Sequence, residues 1–262
     1  MPTFAEITAH ADRLFPFQHA DSYDAVGPVL GTPGADITRV VYALDLTAPA
    51  VEEAVAKGCQ LIIVHHPPLF DAVRTLTGPA AWPVCLAARC GLCVLALHTN
   101  LDADMYSGTA AALARALGVT IIRPLLPLPQ GSNDPMLGEG ALCESSLTAA
   151  QLLAAVAALN PAAVHSPLPG EIRRIALWPG GGVNDERLSA AKAAGCDAFL
   201  CGEVKHNLWG MAQSMGLPLI VCGHYETEWP GMRSLAAALK LHKKGVEEEI
   251  FFHAPPAAIV RG

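Results

Sequence analysis

A chain of 262 residues with 52% hydrophobic and 16% charged residues can form one large α/β domain or two small ones, with a substantial core and apolar subunit interfaces. The net charge of −7 and the lack of a basic tract argue against nucleic-acid binding through phosphate neutralisation. We find neither a signal-peptide pattern at the start nor a run of about 18 apolar residues, so we expect no membrane association.

The first half alternates predicted helices and strands, an order that predicts parallel pairing with right-handed crossovers. Thr3 and Glu6 form a capping-box pattern at the first helix. The predicted elements are a helix over 4–15, a loop or short strand over 22–33, a strand over 40–45, a helix over 47–57, a strand over 61–64, a helix over 79–89, a strand over 94–97 and a helix over 107–117.

Prolines and glycines are concentrated between Leu125 and Gly140, and we place a domain junction near this stretch. The same rhythm of strand, polar loop and helix follows it. The predicted helices cover 148–159, 184–195, 211–216 and 234–240, and the predicted strands cover 174–178, 198–201, 219–222 and 249–252.

The eight cysteines are scattered, and most lie in apolar runs, as reduced buried thiols do. Cys90 and Cys93 form a lone C-x-x-C without a second pair, at a predicted helix end that enters a strand. A zinc or redox role for this pair is therefore the minor alternative. We expect a cytoplasmic protein.

Two adjacent histidines, His65 and His66, follow the buried strand Leu61–Val64. Pro67 and Pro68 come next and end the strand, because proline has no backbone N–H to donate. The two imidazoles are thus held on a stiff turn. Taken alone, the pair also fits one histidine that caps the strand and one that is solvated.

Metal-competent side chains follow four predicted strands, and sites in open α/β sheets gather at the carboxyl ends of strands. The mixture of imidazole and carboxylate suits Zn, Mn, Fe, Co or Ni better than Mg or Ca. Five or more ligands, with two carboxylates able to bridge, indicate two ions that could share a hydroxide. The residues are His65 with His66, His98 with Asp102, Glu203 with Lys205 and His206, and His224 with Glu228.

Each of these features also has a structural explanation. Asp102 could cap the turn after its strand, and Glu228 could interact with a helix dipole. The glycines at 180–182 precede a predicted helix and could cradle a phosphate, but without a phosphate-loop spacing a plain turn is favoured.

The chain resembles the NGG-interacting-factor-3-like family, also called dinuclear metal centre hexameric protein or GTP cyclohydrolase 1 type 2 homologue. The resemblance runs from about residue 4 to the end and implies two α/β units with small sheets flanked by helices. The first unit, 1–125 plus 224–262, is completed by the C-terminal segment and holds most metal ligands; the second is 126–223. It also implies a homo-hexamer, a toroidal trimer of dimers. The four signatures are His65–Phe70, His98–Asp102, Gly202–His206 and Gly223–Glu228.

The resemblance also implies a ligand set for two divalent metal ions per chain. His66 and Asp102 would bind one ion, His65 and His224 the other, and Glu228 would bridge them. His98 would lie close by as an orienting or proton-transfer group, and Glu203 and His206 would be cavity residues. Two stretches depart from the family pattern: Tyr23–Gly27 has Ala25 where the family usually has Asn, and the glycine-rich turn reads Trp178-Pro179-Gly180-Gly181-Gly182.

The expected function is that of a metal-dependent hydrolase, with a water activated by two ions attacking a phosphoester or a nucleotide-like small molecule. His98 or Glu203 would act as catalytic proton carriers. A GTP cyclohydrolase-like reaction is the narrower version of this hypothesis. The alternative is a non-enzymatic protein that binds or delivers metal, or an adaptor, and the residues alone leave both open.

Overall fold

The computed structural model describes residues 1–79, 81–128 and 134–252. The chain divides into two compact units. The first contains Met1–Leu101 and the described part of Met232–Ala254, and the second contains Asp102–Gly231. These bounds place 102–125 and 224–231 in the second unit, whereas the sequence prediction placed both segments in the first. The predicted end of the first unit, 253–262, lies outside the described residues.

In the described residues, the first unit has a sheet with strand order β1-β4-β3-β2-β11. β2, β3, β4 and β11 run parallel, as predicted, and β1 is antiparallel to β4. The C-terminal strand β11 completes this sheet beside β2. The elements are α1 (Phe4–Leu14), β1 (Gly27–Leu30), β2 (Arg39–Ala43), α2 (Ala48–Ala56), β3 (Leu61–Val64), α3 (Trp82–Arg89), β4 (Cys93–Ala96) and β11 (Glu247–Ile250).

Apolar strand residues and helices form the core of the first unit. One face of the sheet packs against α2 and α3, through side chains such as Val41, Ile62 and Val94. β3 is buried along its whole length, as expected for a strand that has Leu, Ile or Val at every position and no alternating polar residues. The predicted capping box at α1 is confirmed, since Thr3 and Glu6 bond to each other's backbone N–H.

The second unit has the strand order β5-β6-β8-β9-β10-β7 within its described part. β8, β9 and β10 are parallel, and the remaining pairs are antiparallel. Its elements, with α4 and α9 crossing the unit bounds, are α4 (Thr99–Asp102), α5 (Thr109–Leu117), β5 (Thr120–Pro127), β6 (Gly138–Thr148), α6 (Ala149–Leu159), β7 (Val164–His165), β8 (Glu171–Trp178), α7 (Asp185–Ala193), β9 (Ala198–Cys201), α8 (His206–Ser214), β10 (Leu219–Val221) and α9 (His224–Leu239).

Both faces of the second sheet are covered. Consecutive residues of β8, such as Ile175 and Ala176, point to opposite faces of the sheet and belong to two different cores. The first core includes side chains of α5 and α6, and the second includes side chains of α7 and α8. This two-sided burial explains the nearly continuous apolar runs that predicted strands at 198–201 and 219–222.

The described parts of the proline-rich stretch at 125–140, near which the sequence predicted a domain junction, lie in the second unit. Pro124 and Pro127 lie in β5, which pairs with β6 inside the second unit. β5 stands at the edge of the sheet, where a missing N–H costs no bond to a further strand. The middle of the stretch, 129–133, lies outside the described residues.

Helix α9 begins at His224, ten residues before its predicted start at Ser234. The helix passes through Pro230 and includes both His224 and Glu228. All eight cysteines lie in the described part of the chain, and each is a free thiol. No helix in that part is long and apolar enough to cross a membrane.

Candidate metal centre

Three histidines of the first unit meet at the carboxyl edge of its sheet. β3 and β4 are parallel and end in register, with Val64 opposite Ala96. The residues that follow both strands therefore lie at the same edge. The backbone N–H of His65 bonds to the carbonyls at the end of β2, which anchors the turn that Pro67 and Pro68 then stiffen.

The imidazole rings of His65, His66 and His98 form a compact group. The ring centroid of His65 lies 5.0 Å from those of both His66 and His98, and the latter two centroids are 5.5 Å apart. One ligand nitrogen from each ring lies within 4.8 Å of the other two. The structure thus places His98 beside His65 and His66, and its role as an orienting or proton-transfer group stays a prediction.

The same kind of hydrogen bond, from Nδ1 to an oxygen acceptor, orients all three rings. Nδ1 lies 2.9 Å from the Leu97 carbonyl in His65, 2.7 Å from Asp45 Oδ1 in His66 and 2.9 Å from Asp24 Oδ2 in His98. Because a carbonyl or carboxylate oxygen only accepts, Nδ1 carries the hydrogen in each neutral ring. The lone pair is then on Nε2, the arrangement usual for histidines that bind metal.

Asp24 is an orienting residue that the sequence analysis did not single out. Its side chain is fully buried and accepts from His98 Nδ1, from the Thr99 backbone N–H at 3.0 Å and from Thr99 Oγ1 at 2.5 Å. Burial acts to raise the pKa of Asp24, but the hydrogen bonds from His98 and Thr99 outweigh it and lower the pKa from 3.8 to about 2. Asp24 is therefore ionised at neutral pH.

In the second unit, His224 and Glu228 are one helical turn apart on α9. His224 Nε2 lies 3.2 Å from Glu228 Oε2, and His224 Nδ1 lies 3.4 Å from Glu203 Oε1. Glu228 is buried, whereas the Glu203 side chain is 65% exposed. Residues four apart on a helix share a face, and the predicted helix, which began at Ser234, did not include this pair.

The glycine-rich turn after β8 packs directly on this pair. Gly180 has a φ of +65°, and a Cβ at this position would lie 1.9 Å from Glu228 Oε1 and 3.1 Å from His224 Nε2. The N–H of Gly180 donates to the buried Thr227 Oγ1, and its carbonyl accepts from the N–H of Glu203. The turn therefore fixes the position of the carboxylate, a role the sequence analysis missed.

Asp102 and His206 occupy other positions in the second unit. Asp102 accepts a hydrogen bond from Thr109, at the start of α5. His206 begins α8. Whether Asp102 binds metal stays a prediction.

The donors of each unit fit a divalent transition metal. In the first unit the histidine group offers imidazole nitrogens whose tautomers are fixed, and in the second unit an imidazole lies beside a buried carboxylate. This mixture favours Zn, Fe, Mn, Co or Ni over Mg or Ca, which prefer oxygen ligands.

Fold and site together define a two-unit α/β protein with a histidine- and carboxylate-rich candidate metal centre. The chain belongs to the Duf34/NIF3 (NGG1p interacting factor 3) family, whose family model matches residues 2–255. The resemblance seen in the four sequence signatures is thereby confirmed.

Relatives and solved structures agree with this assignment. A "GTP cyclohydrolase 1 type 2 homolog" from Streptomyces coelicolor is 34% identical over 252 residues, covering 91% of this chain and 86% of the relative. One from Halobacterium salinarum is 30% identical, covering 92% and 94%. The crystal structure of Staphylococcus aureus protein SA1388 matches with a TM-score of 0.86 at 24% identity, and a Bacillus cereus protein related to NIF3 with 0.87 at 18%, each over 99% of both chains. These structures confirm the fold.

Proposed function

We propose that this protein is a metal-dependent hydrolase of a phosphoester or nucleotide-like substrate, with two divalent ions per chain. The proposed ligands are those implied by the resemblance. The observation that carries the proposal is the histidine group of the first unit, in which an oxygen acceptor holds every Nδ1. This leaves Nε2 of His65 and His66 to bind metal and Nε2 of His98 to accept a proton. The ligands are His65, His66, Asp102, His224 and Glu228.

Bound ions would lower the pKa of a coordinated water towards about 7, which supplies a nucleophile at neutral pH. The chain's own contribution begins with His98. Its Nδ1–H donates to ionised Asp24, so Nε2 can accept a proton while the Asp24 carboxylate stabilises the imidazolium that forms. His98 is therefore the proposed general base and acid, and Asp24 positions it.

Glu203 is the second proposed proton carrier. Its backbone is held by the Gly180 carbonyl, while its carboxylate lies beside His224 and remains open to solvent. An exposed carboxylate can exchange protons with bulk water, so Glu203 suits the release of a proton rather than its first removal.

The name of the relatives supports a narrower version of the reaction, in which the substrate is GTP and the hydrolysed bonds belong to its purine ring. We also propose the homo-hexamer implied by the resemblance. The low charged fraction of 16% is compatible with the large apolar interfaces of such an assembly.

The test compares metal-free protein with protein reconstituted with Mn, Zn, Fe or Co, assayed for hydrolysis of GTP and of a phosphodiester and for formate release. We expect turnover only with metal, and its loss in Glu228→Gln. Glu226→Gln is the matched control, because Glu226 lies on the same helix and outside the proposed ligand set. Equal turnover in all samples would show contamination, and metal binding without turnover would favour a metal carrier or adaptor.

A further inference from the structure

Two exposed aromatic side chains lie beside the histidine group of the first unit. Tyr23 is 61% exposed and Phe70 is 45% exposed. Their ring centroids are 5.9 Å apart, and the Phe70 centroid lies 6.3 Å from that of His98 in an edge-on arrangement. Isolated exposed aromatic residues are ordinary in proteins, but a contacting pair next to a polar site is typical of a ligand pocket.

The chain holds both rings close to residues that orient the imidazoles. Tyr23 directly precedes Asp24, which is bonded to His98 and Thr99. Phe70 follows His66 after Pro67 and Pro68, which restrict the backbone. Each of the two aromatic residues therefore lies in a backbone segment that is held in place beside the histidine group.

We propose that Tyr23 and Phe70 form a stacking surface for a planar heteroaromatic ring of the substrate, such as a nucleobase. This inference rests on the proposed function in its phosphoester form, since it names the part of the substrate that is held while the histidine group acts on the phosphoester. Aromatic faces bind flat rings by offset stacking, with little dependence on the identity of the base.

A ring is a better occupant of this surface than a second copy of the chain. A nucleobase covers the aromatic pair and leaves the adjacent imidazoles open to the reacting part of the same molecule. A subunit surface seated on Phe70 would also cover His98, because the two rings are in contact.

The test measures calorimetric binding of guanosine and of ribose to the metal-loaded protein. Guanosine carries the ring without a phosphoester, and ribose lacks the ring. Tyr23→Ala and Phe70→Ala should each weaken guanosine binding by about 5- to 150-fold, the range expected for loss of one stacking ring. Tyr23→Phe and Phe70→Tyr should retain binding, whereas Tyr23→Leu and Phe70→Leu, which keep apolar area without a π face, should not.

Two exposed aromatic residues elsewhere serve as matched controls. Tyr106 is 58% exposed and Phe252 is 62% exposed, so Tyr106→Ala and Phe252→Ala should leave guanosine binding unchanged. Guanosine that binds no better than ribose, or equally well to the alanine variants and the wild type, would overturn the inference. So would a change in molecular mass of the alanine variants with unchanged guanosine binding, since the pair would then be an interface between copies.

The outcomes separate this inference from the proposed function. Ring-dependent binding without any metal-dependent turnover would contradict the hydrolase and leave the stacking surface standing. Metal-dependent hydrolysis of ribose 5-phosphate and GTP at equal rates, unaffected by Tyr23→Ala and Phe70→Ala, would overturn the stacking surface and leave the hydrolase standing.

Discussion

Replacing Gly180 by alanine tests how the second unit holds its proposed metal-binding carboxylate. The added Cβ would lie 1.9 Å from Glu228 Oε1 and 2.8 Å from Glu228 Cδ. An ordinary contact is about 3.4 Å, so the carboxylate must move by about 1.5 Å, the difference between the two distances. Glu228 is only 4% exposed, so it has little room to move without disturbing its neighbours.

The substitution has two separable effects. Alanine in the left-handed conformation costs roughly 1–2 kcal/mol of stability wherever it occurs. Displacement of the carboxylate should in addition weaken metal binding by about 10- to 100-fold, as the loss of a residue that supports a ligand typically does. Gly216→Ala is the matched control, because its φ is +61° and the nearest atom to a Cβ there is Lys192 Nζ, at 3.7 Å.

Both proteins should be compared by urea unfolding and by titration with Zn or Mn against a competing chelator. We expect similar losses of stability, with weaker metal binding in Gly180→Ala alone. Equal metal affinity in the two variants would refute the conclusion that this turn positions Glu228 for metal binding.

Three further predictions concern the other residues and the assembly. Asp24→Asn should lower the free energy of unfolding by about 2 kcal/mol at pH 6, because the folded-state pKa of Asp24 is about 2, below its ordinary 3.8. This stabilisation is lost as the pH falls from 3.8 towards 2. Urea unfolding should therefore show a smaller difference in unfolding free energy between wild type and variant at pH 2.5 than at pH 6. His98→Ala should slow turnover by roughly 10²–10⁴-fold with two ions still bound, whereas loss of an ion in elemental analysis would make His98 a ligand. Light scattering at micromolar concentration should give a hexamer, and a monomer would reject the proposed assembly.

The sequence predicted the strand ends of the first unit well. Leu61–Val64 has the predicted bounds, and β4 is shifted by one residue. Continuous apolar runs between predicted helices indicate buried strands that pair in parallel. His65, His66 and His98 were therefore correctly expected at one edge of the sheet.

Helix α9 shows where local patterns fail. The sequence prediction began this helix at Ser234, but the helix starts at His224 and continues through Pro230. Pro removes one hydrogen bond and is usually disfavoured inside a helix, yet packing can override that preference. The one-turn relation of His224 and Glu228 was therefore not visible in the sequence.

Asp24 and Gly180 depend on partners that are distant in the chain. Asp24 bonds to His98, which is 74 residues away. Gly180 approaches Glu228 so closely that only glycine fits. No local spacing encodes either contact, because both arise only after the strands have been assembled into sheets.

The most direct test of the proposed dinuclear hydrolase is a stoichiometric titration of metal-free protein with Mn or Zn, in which bound metal and substrate hydrolysis are measured in the same samples. Binding should saturate at two ions per chain, and turnover should appear mainly as the second ion binds. Saturation at one ion per chain, or turnover that is independent of added metal, would contradict the account.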